Sequence, residues 1–167
     1  MKAISNAGPL IHLAKAGLLD YLFTLFDQVI IPKTVYEEVV VVGKQNGHID
    51  AIIIEQAIKN NKIYINKEPI KSIDLVYPNL HKGEKEAIEL AIQLNENVVL
   101  LDDEEARLVA RKYNLKVKGT LGVLIELTKR KLIDSQSALQ YLRKLNSIMY
   151  LSSDLYARVE DILNKNE

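Results

Sequence analysis

The sequence predicts an α/β fold, a single three-layer α/β/α domain with a central parallel sheet and extra C-terminal helices. Three observations carry this reading. Short apolar strand patterns alternate with helical patterns of about ten to fifteen residues, which implies right-handed crossovers and a sheet covered on both faces. A chain of 167 residues fits one domain and is long enough to bury a real core. No internal repeat, low-complexity segment or linker divides it.

The elements run in this order. AIS (residues 3–5) is a short strand, and Gly8-Pro9 opens the apolar helical stretch LIHLAKAG (10–17). After Gly17 comes a second helix, LLDYLFTLF (18–26). VIIP (29–32) is a buried strand stopped by Pro32, and helix KTVYEEVVVV (33–42) begins just after it. GKQNGH (43–48) reads as a loop, DAIIIEQAIKN (50–60) as a helix and the alternating KIYINKE (62–68) as a strand. GEKEAIELAIQLN (83–95) is a strong helix, VVLLD (98–102) a buried strand and DEEARLVARKYN (103–114) a helix. KVKG (116–119) is the last strand, with helices after it over 120–133, 134–145 and 152–163. The domain core is expected over residues 1–133, with C-terminal helices over 134–167.

Composition narrows the classes. Apolar residues make up 48% and charged residues 26%, ordinary for a soluble globular protein. There is no cysteine, which excludes disulfides, thiolate zinc sites and cysteine nucleophiles. No secretory signal pattern opens the chain and no apolar stretch approaches the ~20 residues of a membrane span, so a cytoplasmic protein without membrane contact is expected. Basic and acidic residues balance at 22 each, so binding to nucleic acid would rely on local patches.

The most informative residues are acids aimed inward from three separate stretches. Glu38 lies three residues after Val35 and four before Val42, on their stripe, whereas Glu37 falls one position round. Glu84 lies four and seven residues before Ile88 and Ala91, while Glu86 and Glu89 are displaced and expected to be solvated. Asp102 ends the strand VVLL, and Asp103 opens the next helix in line with Ala106 and Ala110. Asn6 stands at the corresponding end of the first strand, and doubly wound sheets bind ligands at those carboxyl ends. Buried acids are costly unless compensated, and several meeting in one place would hold a hard cation such as Mg²⁺ or Mn²⁺. Each has a plainer role as well: Asn6 and Asp103 are good N-caps, Glu84 suits a first helical turn, and Glu38 could reach water.

Together, ISNAGPLIHLAKAG, IPKTVYEEV, HKGEKEAIELA and VVLLDDEEARLVARKYNLKVKGTLGVL resemble the PIN-domain family, in the branch similar to VapC-type toxins. The matching segments cover most of residues 1–133. The resemblance implies a nuclease-like fold in which acids bind one or two Mg²⁺ or Mn²⁺ ions and cleave RNA, with Asn6, Glu38, Glu84 and Asp102 or Asp103 at the site. It also implies an antitoxin protein as partner and a homodimer or higher homo-oligomer. One departure stands out: the family pattern usually has aspartate where this chain has Asn6, which supplies an oxygen ligand but no charge.

Arg107, Arg111, Lys112, Lys116 and Lys118 come directly after the acid pair and suit phosphate contact; Lys129-Arg130-Lys131 suits a solvated face equally well. No serine–histidine arrangement competes, because His12, His48 and His81 lie in unrelated settings. Two other functions are consistent with these residues. One is a PIN-like module that binds nucleic acid or protein without turnover because of Asn6. The other is a phospho-acceptor domain of the receiver type, suggested by Asp102-Asp103, Lys118 and Thr120.

Overall fold

The structure is a computed structural model that describes residues 1–74 and 79–166. Five strands form one sheet: β1 (Lys2–Ser5), β2 (Gln28–Ile31), β3 (Ile63–Ile65), β4 (Val98–Leu100) and β5 (Lys116–Lys118). Their order is β3-β2-β1-β4-β5, and every pairing is parallel. The chain first builds outward from β1 through β2 and β3, then returns to the other side of β1 with β4 and β5. This reversal opens a crevice between the carboxyl ends of β1 and β4.

Helices fill the connections. α1 (Ala7–Ala16) and α2 (Leu19–Leu25) come after β1; α3 (Lys33–Tyr36), a π-helical stretch Glu37–Val42, α4 (Gly43–Gln45) and α5 (Ile49–Lys59) come after β2. α6 (Lys82–Gln93) precedes β4, α7 (Glu104–Lys112) joins β4 to β5, and α8 (Thr120–Lys129), α9 (Ser135–Ile148) and α10 (Ser153–Asn164) close the chain. Glu167, the expected end of the C-terminal helices, lies outside the described residues. Among the described residues no helix is long and apolar enough to cross a membrane.

The sheet is apolar on both faces, as a covered parallel sheet must be. Successive β4 residues point to opposite sides. Val98 and Leu100 join one buried cluster with Leu10, Leu13, Leu124 and Leu142, whereas Val99 and Leu101 join another with Ile4, Ile88, Leu90 and Val109. The three layers result from that alternation. One residue further, it turns Asp102 towards the face covered by α1 and α8. Leu142, Leu145, Val159 and Leu163 from the last two helices belong to the larger cluster.

Three details differ from the sequence expectation. First, α1 begins at Ala7, ahead of Leu10, because Pro9 sits in the first turn, where a missing N–H costs nothing. Second, the helix after β2 runs on through Gly43–Gln45, which the sequence suggested was loop. Third, its middle is π-helical, so the α-helical stripe linking Val35, Glu38 and Val42 breaks. Val39 and Val40 are buried, while Val41 and Val42 are exposed. The wider turn adds a residue and rotates the remainder of the helix, a distortion often found at functional sites. The helix ends were better marked: Asn61, Asn95 and Asn114 take left-handed φ of 57°, 54° and 60° just beyond α5, α6 and α7.

Gly43 allows this long helix to meet α5. A Cβ there would lie 2.8 Å from the Ala51 Cβ, which is itself fully buried. Gly43→Ala is therefore expected to destabilise the fold by about 1–3 kcal/mol in urea titration, despite alanine's better helix propensity. Stabilisation of ~1 kcal/mol, as at an open helical glycine, would show that the two helices are free to part.

Candidate metal centre

The crevice holds a pocket of about 250 Å³ lined by Asn6, Ala7, Gly8, Glu38, His81, Gly83, Glu84, Asp102 and Asp103. The pocket thus brings together the five residues singled out in the sequence, Asn6, Glu38, Glu84, Asp102 and Asp103. They come from four places: the end of β1, the π-helical stretch, the first turn of α6 and the β4–α7 junction. Gly83 lies between two of them. A Cβ there would lie 3.0 Å from the Asn6 Oδ1, which would have to give way, and in ordinary contact with the Glu38 Oε2 at 3.6 Å.

Asp102 is the most firmly held. Its Oδ1 accepts from the Thr120 backbone N–H at 2.7 Å, and its Oδ2 from the Thr120 hydroxyl, also at 2.7 Å. The His12 Nδ1 lies 2.7 Å from the same Oδ2. Burial alone would push this carboxyl up, but the His12 and Thr120 hydrogen bonds outweigh it and hold it below its ordinary value. Gly119 makes room for the arrangement: a Cβ there would stand 3.0 Å from the Asp102 Oδ1, whereas one on Gly8 would only reach ordinary contact with Oδ2 at 3.6 Å.

Sequence reasoning missed His12. Its signal was present: Gly8 and His12 are four residues apart in the helix that leaves the β1 end, so they share a face, and Gly8 leaves room for the carboxylate between them. Thr120 is likewise the partner of Asp102, not a receiver-type signature.

The remaining acids are less satisfied. Asp103 caps α7, its Oδ1 accepting from the Ala106 N–H at 2.8 Å, and its side chain is otherwise exposed. Glu84 is 7% exposed, and its Oε2 accepts from the His81 N–H at 3.0 Å. Burial pushes the Glu84 carboxyl above its ordinary value near 4.5; the His81 N–H opposes this shift, and the charges of Asp103 and Glu38 add to it. Asn6 occupies the N-cap position of α1, yet its side chain makes no capping hydrogen bond. Glu38 is exposed, not buried on a valine stripe, and reaches the pocket from the π-helical turn.

Glu89 is a correction. Expected in solvent, it is 3% exposed and accepts from the Ile73 N–H at 2.9 Å, with Lys85 Nζ 3.7 Å away. Residues 71–73 lie against that face of α6, where Lys71 meets Gln93 and Ser72 and Ile73 meet Glu89. Glu86 is partly buried and pairs with Lys82 at 3.9 Å.

The expected cations separate. Arg107 and Lys118 stand beside Asp102 along a neighbouring groove, and Lys118 lies 3.6 Å from Glu126. Arg111 and Lys112 are exposed in the last turn of α7, at the other end of that helix from Asp103. Arg130 is paired with Glu126 at 2.6 Å, and Lys129 and Lys131 are exposed.

Residues 2–165 match a family model, DUF3368, described as a PIN domain. The chain belongs to the PIN-domain family. That gives it a nuclease-like fold, in a family generally made of hydrolases that typically use divalent metals. Neither the curated proteins nor the solved structures compared with it gave a match. Membership rules out the receiver reading, whose acid pair belongs at the first strand.

The donor set fits a hard divalent cation in kind: carboxylate and amide oxygens, with mutual repulsion that a cation would relieve. Among the described residues no three acid or histidine groups already stand as a closed cage, so side-chain movement would have to complete one.

The repulsion has a measurable sign. The folded-state pKa of Glu84 lies above its ordinary value, so its ionisation costs stability as pH rises from about 4.5 through that pKa. In EDTA, Glu84→Gln should therefore melt higher than wild type at pH 7–8, and the advantage should vanish below about pH 4. Asp102 acts in the opposite sense in both proteins, losing its contribution as pH falls through its lowered pKa. An advantage equal at about pH 4 and pH 8 would mean that charge at Glu84 is not its source.

Proposed function

We propose that this protein is a divalent-metal-dependent endoribonuclease that cleaves RNA phosphodiester bonds. The observation that carries the reading is the crevice itself: in a PIN fold, at the strand-order reversal, Asn6, Glu38, Glu84, Asp102 and Asp103 line one pocket with unrelieved negative charge. Glu38, Glu84, Asp102 and Asp103 would hold Mg²⁺ or Mn²⁺, with the Asn6 Oδ1 as a neutral donor. When bound, such an ion lowers the pKa of a coordinated water and neutralises charge building on the phosphate.

The chain's own groups divide the work. Thr120 and His12 fix Asp102 as the rigid member, an outer layer of hydrogen bonds of the kind that orients ligands. Asp103 and Glu38 are freer to adjust. Glu84, whose carboxyl is held above its ordinary value by burial and by the charges of Asp103 and Glu38, is the ligand whose repulsion a cation would relieve most directly. Arg107 and Lys118 would meet phosphates beside the pocket, with Arg111 and Lys112 further along the strand's path. The expected products carry 5′-phosphate and 3′-hydroxyl ends.

A toxin role opposite an antitoxin protein is the narrower form of this reading and rests on the resemblance of the motif set. Self-association has one supporting feature, the exposed apolar row Ile49, Ile52 and Ile53 on α5.

A second reading, an RNA- or protein-binding module without turnover, is favoured by Asn6, which leaves the site one charge short. Cleavage of a fluorescent single-stranded RNA with excess Mn²⁺ and with EDTA separates the two. For a ribonuclease, cleavage depends on Mn²⁺, is abolished by Glu84→Gln and falls roughly 10–100-fold in His12→Ala. A wild type that binds RNA without cutting it supports the module instead.

Asn6→Asp probes the missing charge. It should speed cleavage most at low metal, raise the melting temperature in excess Mn²⁺ and lower it in EDTA, because the added anion attracts a cation but repels its neighbours. Identical thermal shifts in both conditions would make Asn6 a structural residue.

A further inference from the structure

Asp102 lines a second cavity on its other side, a groove of about 370 Å³ that runs from the Gly119 turn to the segment joining α9 and α10. Its polar lining is lopsided. Arg107, Lys118 and Arg158 supply three cations, and among the described residues Asp102 is its one acid. The walls between them are apolar, with Leu121, Ile125 and Met149 among their residues. Tyr150 stands at the groove 92% exposed, a large aromatic ring with no cover.

Arg107 is the telling residue. Its Nε is buried and has no hydrogen-bond partner among the described residues. An Nη1 of the same group lies 3.8 Å from where a Gly119 Cβ would stand, and the Asp102 Oδ1 lies 3.0 Å from that same point. A buried guanidinium nitrogen left unpaired is costly, and Arg107 lines the groove without an ion pair among the described residues, so its positive charge there is uncompensated. Arg158 forms no ion pair among the described residues, and Lys118 has only its long contact with Glu126.

We propose that this groove holds the nucleotide next to the scissile phosphate of a single-stranded RNA, with Arg107 and Arg158 on its phosphates and Tyr150 against its base. The assignment rests on the ribonuclease reading for the direction of the strand. Its support is local: net positive charge beside an acidic pocket, an apolar floor and an uncovered ring combine the elements of single-strand recognition, in which cations track the backbone and aromatic faces stack on bases. A volume of 370 Å³ suits one nucleotide better than a protein helix. The C-terminal helix thereby gains a substrate-binding role through Arg158, a residue outside the basic cluster that comes after the acid pair.

The test measures binding separately from cleavage. Fluorescence anisotropy of a single-stranded oligoribonucleotide is monitored with Mg²⁺ in the Glu84→Gln background, where the RNA stays whole. Arg158→Glu should weaken binding at least tenfold, and Arg158→Ala should lower the slope of log K against log salt by ~0.7. Tyr150→Ala, at an exposed position that the fold does not need, should weaken binding severalfold. Lys59→Glu, the same charge change by the opposite edge of the sheet, should change it less than twofold. A 4-thiouridine crosslink should map to Tyr150 or Met149. Unchanged RNA affinity in both Arg158→Glu and Tyr150→Ala, or crosslinks confined to Lys129–Lys131, would overturn the assignment, and the groove would then be a protein-docking surface. Wild type that cuts RNA while Arg158→Glu binds normally removes the groove and leaves the ribonuclease reading standing. Tight binding lost in Arg158→Glu, with no cleavage by wild type, removes the ribonuclease reading and retains the groove as an RNA site.

Discussion

Like charges held together at the carboxyl edge of β1 and β4 are the constraint around which this molecule is arranged. Parallel strands whose connections diverge leave a crevice there, and the chain fills it with oxygen atoms. Such a cluster works against folding unless each member has some other support. Thr120 and His12 support Asp102, the Ala106 N–H supports Asp103 and the His81 N–H supports Glu84. These three acids are thereby tied to a helix start or a neighbouring helix, while Glu38 has no such partner among the described residues, so the local structure holds the charges together short of full compensation. Gly83 and Gly119 are the spatial counterpart, since a Cβ at either would press on an oxygen of the cluster.

Most of the sheet was legible in the sequence because its signals are local. Val98 to Leu101 form a continuous apolar run between an asparagine turn and an acid, and its burial on both faces is the direct consequence. The position of Asp102 was legible for the same reason, as the first polar residue beyond a buried strand. Glu84 was legible from the inward stripe of α6, whose Ile88 and Ala91 are fully buried. What stayed hidden depends on partners remote in sequence. The π-helical turn cannot be read from EEVVVV, since valines satisfy either pitch, and so Glu38 was assigned the right pocket by way of the wrong stripe. Glu89 is buried because a segment more than ten residues away folds over it. The His12 bond to Asp102 spans ninety positions and depends on the packing of α1 beside β4.

The division between anchored and adjustable acids bears on how such a site would work. In the proposed site a rigid Asp102 would set where a cation sits, and Asp103 and Glu38, both exposed, would close on it. This accounts for a pocket whose donors are gathered without yet forming a cage. Asn6 lies at the centre of that geometry and offers an oxygen without a charge. It lowers the electrostatic cost of the empty site and, by the same measure, weakens the pull on a cation. Affinity for metal and stability without it are thus opposed at one position.

Direct titration with Mn²⁺, read from the loss of the free-ion electron paramagnetic resonance signal, is the sharpest test of a crevice built to hold a cation. Wild type should show a saturable site, severely weakened in Asp102→Asn, with affinity falling as pH drops and protons compete for the carboxylates. Equal Mn²⁺ binding by wild type and Asp102→Asn, or no saturable binding at all, would contradict a metal centre at this edge of the sheet.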